Sequence, residues 1–399
     1  MKPAYNIEAI ILDDSESIRS VMNAILEKHD NISTFTHATG QETLTYIDKR
    51  PSHHTLIFID LNMPDMDGME VIRHLGHSGF KGGVIIFSKL EKRIINLACE
   101  VARQNQIHLI SSLTKPITEE NVNALLDKFY SFIDRMNTPS LNLSIKDIQK
   151  AIKEKQITPY YQPKLNIQTQ EVVGIELLAR ITVPGTTDSI QAGRFIPTAD
   201  SCGLINTLSI NLFDKALAEF KEIKQTTNQD LTLSINLSPK QLGDLSSIAQ
   251  IDELFEKHSI DSQDIIIEVT EEDTLKAANQ LETLNRLKMN GYGVALDDFG
   301  TGFTNLNQLK TLPLTEVKID RSIISNINND PFSQIVTNTL IELSAELNFQ
   351  LTTEGIENIN ELKYLEKLNA NLTIQGYIIS KPKPKDEFIR WYKAFSKGN

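Results

Sequence analysis

Six positions in the C-terminal two-thirds of the chain carry oxygen donors of one chemical kind: Glu176, Asn236, Glu268, the adjacent pair Asp297 and Asp298, and Glu354. Carboxylates and an amide are hard ligands that suit Mg2+ or Mn2+, not zinc or copper. Five carboxylates exceed what one divalent ion needs, and an adjacent aspartate pair can bridge two. Two cations about 3.5–4 Å apart are a recurring arrangement for hydrolysing phosphodiesters, activating a water and stabilising the developing charge. Lys318 is suited to orienting that water or offsetting the charge, and Arg180 to holding a non-bridging oxygen. A second set lies nearer the N-terminus: Asp13, Asp14 and Asp60, with Lys115. Three crowded carboxylates call for a hard cation such as Mg2+, and the lysine would offset the charge added when an aspartate becomes an acyl phosphate. Taken singly, each acid reads more simply as a helix N-cap or a solvated loop residue. The sets carry the argument.

The elements that must position these groups follow from apolar patterning. In the first 130 residues, strand candidates Ala9–Leu12, Leu56–Ile59, Val84–Phe87 and Ile107–Leu113 alternate with helical spacing such as Ile18, Val21, Met22, Ile25 and Leu26. That alternation predicts a doubly wound parallel sheet of the flavodoxin-like kind, with Asp13, Asp14, Asp60 and Lys115 meeting at its carboxyl edge. Asn137-Thr138-Pro139-Ser140 is polar with a helix breaker and reads as linker, after which Ser144 caps a helix with Asp147 in a capping-box role. From Pro159 the alternation resumes with a longer period. Seven apolar runs end in a polar or charged residue: VVGIE at Glu176, LTLSIN at Asn236, IIIE at Glu268, YGVALDD at Asp297 and Asp298, EVK at Lys318, LTTE at Glu354 and LTIQ at Gln375. Strand C-termini that converge on one face are the mark of a TIM-barrel-like (β/α) fold, with helices over Lys240–Lys257, Asp273–Met289, Phe332–Leu347 and Asn358–Leu368.

Composition bounds the function. At 399 residues with 40% hydrophobic and 23% charged content the chain is globular and has more than one domain. The net charge of −12 argues against a broad grip on polymeric nucleic acid, while leaving room for a small phosphorylated ligand. Two cysteines, Cys99 and Cys202, make neither a disulfide framework nor a zinc site and fit a reducing cytoplasm. No apolar run approaches a membrane span, so no membrane association is expected.

Two resemblances emerge from the motifs. ILDDSESIR, FIDLNMPDMDGMEV and LTKP resemble the receiver domain of two-component response regulators, over roughly residues 5–130. That resemblance implies phosphotransfer to Asp60 from a sensor histidine kinase, Mg2+ held with the help of Asp13 and Asp14, Ser88 at the switch hydroxyl and Lys115 on the phosphate. The chain departs from the family pattern at Lys89, where a small residue is usual, and at Ser112, where an aromatic is usual. YYQPK, GIELLAR, INLSPKQL, IEVTEE, LDDFGTGFTNL, VKIDRS, TTEGIE and IQGYIISKP resemble the EAL family of cyclic-di-GMP phosphodiesterases, over about residues 145–395.

The EAL resemblance implies one metal on Glu176, Asn236, Glu268 and Asp297 and a second on Asp297, Asp298 and Glu354. It places Lys318 beside the attacking water, Arg180 on the scissile phosphate, Gln162 and Gln375 at substrate or water, and Glu271 in support of the loop after the aspartate pair. The expected whole is a receiver domain (1–130), a linker (131–144) and an EAL domain (145–399). It would hydrolyse cyclic di-GMP to 5′-pGpG with two Mg2+ or Mn2+ ions, as a homodimer or higher homo-oligomer. The alternatives are a catalytically inactive cyclic-di-GMP sensor and a protein-interaction adaptor under receiver control.

Overall fold

The computed structural model describes residues 5–48, 53–137, 143–182, 189–227, 229–270, 278–300 and 306–398, and the chain divides near residue 141 into two compact units. In the first unit, β1 (Ile7–Leu12), β2 (Ile32–His37), β3 (Thr55–Ile59), β4 (Gly83–Ser88) and β5 (His108–Thr114) form a parallel sheet in the order β2-β1-β3-β4-β5. A parallel sheet covered on both faces needs strands apolar on both sides, and β1 shows how. Ala9 and Ile11 enter one core with α1 (Glu16–Leu26) and α5 (Glu119–Asn137), while Ile10 and Leu12 enter the other with α2 (Gly40–Ile47), α3 (Gly68–His77) and α4 (Lys92–Gln104). This is the doubly wound arrangement expected.

Three details differ from expectation. Strand β2 does not appear among the apolar runs, because it is an edge strand whose sequence ISTFTH buries only Ile32. In α1, Val21 faces solvent while Met22, Ile25 and Leu26 are buried, so one member of the helical stripe lies off the packed face. Helix α5 continues to Asn137 with Phe132 and Ile133 buried in the first unit, so its packing reaches into the 131–144 segment read as linker.

The second unit opens with the helix Ile145–Lys153, whose capping box joins Ser144 and Asp147 reciprocally. Its barrel strands are β6 (Ile157–Asn166), β7 (Val172–Thr182), β9 (Thr232–Asn236), β10 (Ile265–Thr270), β11 (Gly293–Phe299), β12 (Glu316–Ile319), β13 (Gln350–Thr353) and β14 (Leu372–Ile374). The short β8 (Ser189–Gln191) extends β7 from outside. The ring runs β6-β14-β13-β12-β11-β10-β9-β7 and closes through β6 and β7, so no barrel strand is left with an open edge. The barrel is TIM-like but not wholly parallel: β6 runs antiparallel to both β7 and β14.

Some residues expected at strand ends lie inside their strands. β7 runs on to Thr182, so Glu176 sits mid-strand opposite Gln162 of β6, and Glu268 is likewise inside β10. Around the barrel, the expected helix over Lys240–Lys257 is two helices, Pro239–Gly243 and Leu245–His258, split where Asp244 caps the second through the Ser246 N–H. The helix Ile205–Thr227, not anticipated, packs Leu208, Leu212, Ala216 and Phe220 onto the barrel. Of the helix expected over Asp273–Met289, the part Ala278–Met289 is described. No helix among the described residues is long and apolar enough to cross a membrane.

Candidate active site

The barrel's polar groups meet around one ammonium. Lys318, on β12 and 1% exposed, places Nζ 2.7 Å from Glu354 Oε1, 2.9 Å from Glu268 Oε2, 3.1 Å from Asp297 Oδ1 and 3.5 Å from Glu176 Oε2. One lysine among this many acids leaves a large surplus of negative charge. The carboxylates fall into two overlapping trios, Glu176–Glu268–Asp297 and Asp297–Asp298–Glu354, each able to bring one oxygen per residue within 4.8 Å of the others. Asp297 belongs to both. Hard oxygen donors at this density fit divalent cations of the Mg2+ class.

The electrostatics record that surplus. Burial pushes the Glu354 carboxyl well above the usual range, and Asp297 and Glu176 add to it against the pull of Lys318. Glu176 and Asp297 are raised by burial first, with repulsion from Glu268 reinforcing it. Glu268 goes the other way. Burial would raise it too, but Lys164 and Lys318 together outweigh that and hold it down to about 2. The backbone contributes as well: Asp298 adopts φ +57°, its N–H donates to Asp297 Oδ1 at 2.9 Å, and Gly300 follows at φ +105°. An aspartate held in the left-handed region is the local strain often found where side chains must converge.

Around this core, Asn236 at the end of β9 donates from Nδ2 to Glu176 Oε1 at 3.3 Å and Glu268 Oε2 at 3.4 Å. Gln375, just past β14, donates to Glu176 Oε2 at 2.5 Å and Gln162 Oε1 at 3.2 Å, while its own Oε1 is buried without a protein partner. A cavity of about 440 Å3 opens over these groups, lined by Gln162, Glu176, Asp297, Asp298, Glu354 and Gln375 among others. Arg180 lies two strand repeats beyond Glu176 on the same face of β7. Its guanidinium donates to the Ala179 carbonyl at 2.8 Å and rests 5.6 Å from the Tyr160 ring. Thus Glu176, Asn236, Glu268, Asp297, Asp298, Lys318, Glu354, Gln162 and Gln375 come together, with Arg180 one step outside. Glu271 lies outside the described residues, as does the loop beyond Gly300.

Several groups at this site lie beyond the sequence-derived set. Arg321 pairs with Glu357 through both carboxylate oxygens at the cavity rim, and its side chain lies against Gly355. At φ +65° and with Arg321 Cβ 2.6 Å from where a Cβ would be, Gly355 admits no side chain. Lys164 and Glu316 are buried below the acids. Their signal in the sequence was two-residue spacing from Gln162 and Lys318, which puts each pair on the same strand face.

In the first unit, Asp13 follows β1 and Asp60 follows β3, the point where strand order reverses and ligands gather in doubly wound sheets. Lys115 Nζ bridges them, 2.6 Å from Asp13 Oδ2 and 2.5 Å from Asp60 Oδ2, and sits 4.7 Å from the Phe87 ring centroid. Exposed Asp14 completes an acidic trio with them. Burial pushes the Asp13 carboxyl up despite Lys115. Ser88 is buried at the end of β4 and accepts the Leu90 N–H, while Lys89 and Ser112 are exposed.

The profile of the EAL domain matches residues 145–382, more than half the chain, and that of the response regulator receiver domain matches residues 9–127. The chain belongs to the EAL domain family. It carries a receiver domain ahead of the EAL domain. Among curated proteins it is 26% identical over 388 residues to the cyclic di-GMP phosphodiesterase RocR of Pseudomonas aeruginosa, covering 96% of this chain and 98% of RocR. It is 29% identical over 246 residues to the bifunctional diguanylate cyclase/cyclic di-GMP phosphodiesterase MucR of the same organism, spanning only 36% of MucR. The solved MucR phosphodiesterase in complex with c-di-GMP superposes with a TM-score of 0.57 at 29% identity, over 61% of this chain and 98% of that one. The EAL enzyme Bd1971 with cAMP and cyclic di-GMP bound gives a TM-score of 0.58 at 26% identity, over 76% of this chain and 77% of that one.

Proposed function

We propose that this protein is a response regulator that hydrolyses cyclic di-GMP to linear 5′-pGpG in its EAL domain (145–399), under control of a receiver domain (1–130) phosphorylated on Asp60 by a sensor histidine kinase. The observation that carries the reading is the pair of carboxylate trios sharing Asp297 beneath an open cavity. Glu176, Asn236, Glu268 and Asp297 would hold one Mg2+ or Mn2+, and Asp297, Asp298 and Glu354 the second. When bound, the two ions supply an activated water and neutralise charge developing on the phosphoryl oxygens.

The chain's own residues do the rest. Lys318 keeps a fixed positive charge among the acids and is positioned to orient the attacking water. Gln375 offers a buried, unpaired carbonyl oxygen for that water or a substrate hydroxyl, and Gln162 holds the Gln375 amide in place. Arg180, its charge free of carboxylate partners among the described residues, is available for a non-bridging phosphate oxygen. Glu271, expected to support the loop after Asp298, lies outside the described residues. In the receiver, Asp13 and Asp14 would hold Mg2+ beside Asp60, Lys115 would meet the phosphoryl group and Ser88 would sense it. The protein acts in the cytoplasm as a homodimer or higher homo-oligomer. An inactive-sensor reading requires a lost metal ligand, and each carboxylate of the set is in place.

The test is steady-state hydrolysis of cyclic di-GMP with Mg2+ or Mn2+, comparing wild type with Glu176→Ala. Linear dinucleotide from wild type, with turnover reduced about 100–1,000-fold in the variant, is expected for a ligand that stabilises the transition state. Binding without cleavage by wild type would replace the phosphodiesterase by the sensor.

A further inference from the structure

The interior of a (β/α) barrel is ordinarily filled by layers of Val, Ile and Leu. Beneath the acid cluster this barrel departs from that. Two residues below the active-site groups, on the same faces of their strands, stand Lys164 under Gln162, Ser234 under Asn236, Glu316 under Lys318 and Thr352 under Glu354. All four are at most 3% exposed. They form one hydrogen-bonded chain across the barrel interior. Lys164 Nζ donates to Ser234 Oγ at 2.7 Å, to Glu268 Oε1 at 2.9 Å and to both Glu316 oxygens at 3.0 Å, and Thr352 Oγ1 donates to Glu316 Oε1 at 2.5 Å.

Burying an ammonium and a carboxylate in a barrel core is a poor route to stability, since apolar side chains of similar volume do at least as well. What the layer achieves is specific to Glu268. Its Oε1 is held from below by Lys164, while Oε2 is met from above by Lys318 at 2.9 Å and Asn236 at 3.4 Å. The plane of the carboxylate is therefore fixed, with Oε2 on the side of the acid cluster. Glu316, wrapped around Lys164, keeps that ammonium charge-balanced and aimed.

We propose that Lys164 and Glu316 are positioning residues that set the orientation of Glu268, and thereby the affinity of the first cation site, from the layer below. This rests on the reading of the acid cluster as a divalent-cation site. Groups that orient metal ligands from behind typically change metal affinity or activity by 10–100-fold when removed.

The experiment uses the full chain and reads metal binding apart from turnover: Mn2+ affinity by calorimetry or electron paramagnetic resonance, without substrate, alongside kcat and KM for cyclic di-GMP across a Mn2+ titration. The double variant Lys164→Met/Glu316→Gln removes both charges together and avoids stranding one. It is expected to weaken Mn2+ about 10-fold or more, to lower kcat at limiting Mn2+ with partial recovery at high Mn2+, and to leave KM near its wild-type value. Thr352→Val removes only the donor to Glu316 and is expected to weaken Mn2+ by a smaller factor, so it decides the matter should the double variant not fold. Wild-type Mn2+ affinity in a folded variant with lowered thermal stability would make the layer merely structural and overturn the proposal. Wild type that binds Mn2+ without hydrolysing cyclic di-GMP would fail the functional reading while leaving the affinity comparison intact.

Discussion

At the scale of single residues, Glu354 carries the clearest consequence of the acid surplus. Its carboxyl is raised by burial and by Asp297 and Glu176, so in metal-free protein the folded state binds a proton more tightly than the unfolded chain does. Between the unfolded value near 4.5 and the raised folded value, stability must then fall as pH rises. Glutamine cannot ionise and is free of that loss. In chelator-treated protein, Glu354→Gln is therefore expected to unfold at a higher temperature than wild type. The gap should widen with pH above about 4.5, by at most ~1.4 kcal/mol per pH unit. Added Mg2+ or Mn2+ should reverse the order, because cation binding displaces protons from these carboxyls. A gap that stays constant with pH, or narrows, would mean the carboxyl is not held protonated by its neighbours. Which acids gather in the barrel was legible from residue type and spacing, since hard donors recur after apolar runs. Lys164 and Glu316 were harder to see, because their one sign is the two-residue spacing from Gln162 and Lys318, and a lone charge inside a strand does not itself say whether it faces the barrel axis or solvent.

At the scale of elements, what positions the two sites differs. In the receiver, strand ends do the work, and α3 must start close behind Asp60. Gly68 makes that approach possible: a Cβ there would stand 2.3 Å from the Asp60 carbonyl oxygen and 2.8 Å from Leu61 Cα, both backbone atoms that no rotamer change relieves. Gly68→Ala is expected to destabilise the receiver by about 1–3 kcal/mol, as overpacking against an immovable neighbour does. Thermal unfolding of the full chain should show its first transition shifted downward, and an unshifted transition would disprove the tight approach. In the barrel, mid-strand residues do part of the work. Glu176 faces Gln162 across the antiparallel β6–β7 pair, which no run of parallel βα units suggests. Strand direction was missed because β6, ITPYYQPKLN with its two prolines and a lysine, does not stand out as an apolar run, so the short turn after Asn166 that joins it to β7 was not read as a hairpin. The polar edge strand β2 escaped detection for a related reason: a strand with one neighbour needs little apolar surface. The long buried runs of β1, β3 and β4 were visible because two covered faces demand them.

At the scale of the whole molecule, two acidic sites in two separate units must be linked if the receiver is to govern the barrel. Phosphorylation can change hydrolysis only by favouring one state of the EAL domain over another, whatever the route between the units. The trigger is local. Lys115 spans Asp13 and Asp60 at 2.6 and 2.5 Å, so a phosphoryl group on Asp60 must displace or recruit that ammonium and add negative charge beside two carboxylates. Lys89 and Ser112, the two positions where the chain departs from the receiver pattern, are both exposed. Coupling between sites typically spans 1–3 kcal/mol, or about 5–150-fold. A small-molecule phosphodonor is accordingly expected to change kcat/KM for cyclic di-GMP by about 5-fold or more in wild type and to leave Asp60→Asn unchanged. Both proteins would be assayed as full chains with the same Mg2+. An equal change in both would move the effect away from Asp60, and no change in either would detach the receiver from the enzyme it accompanies.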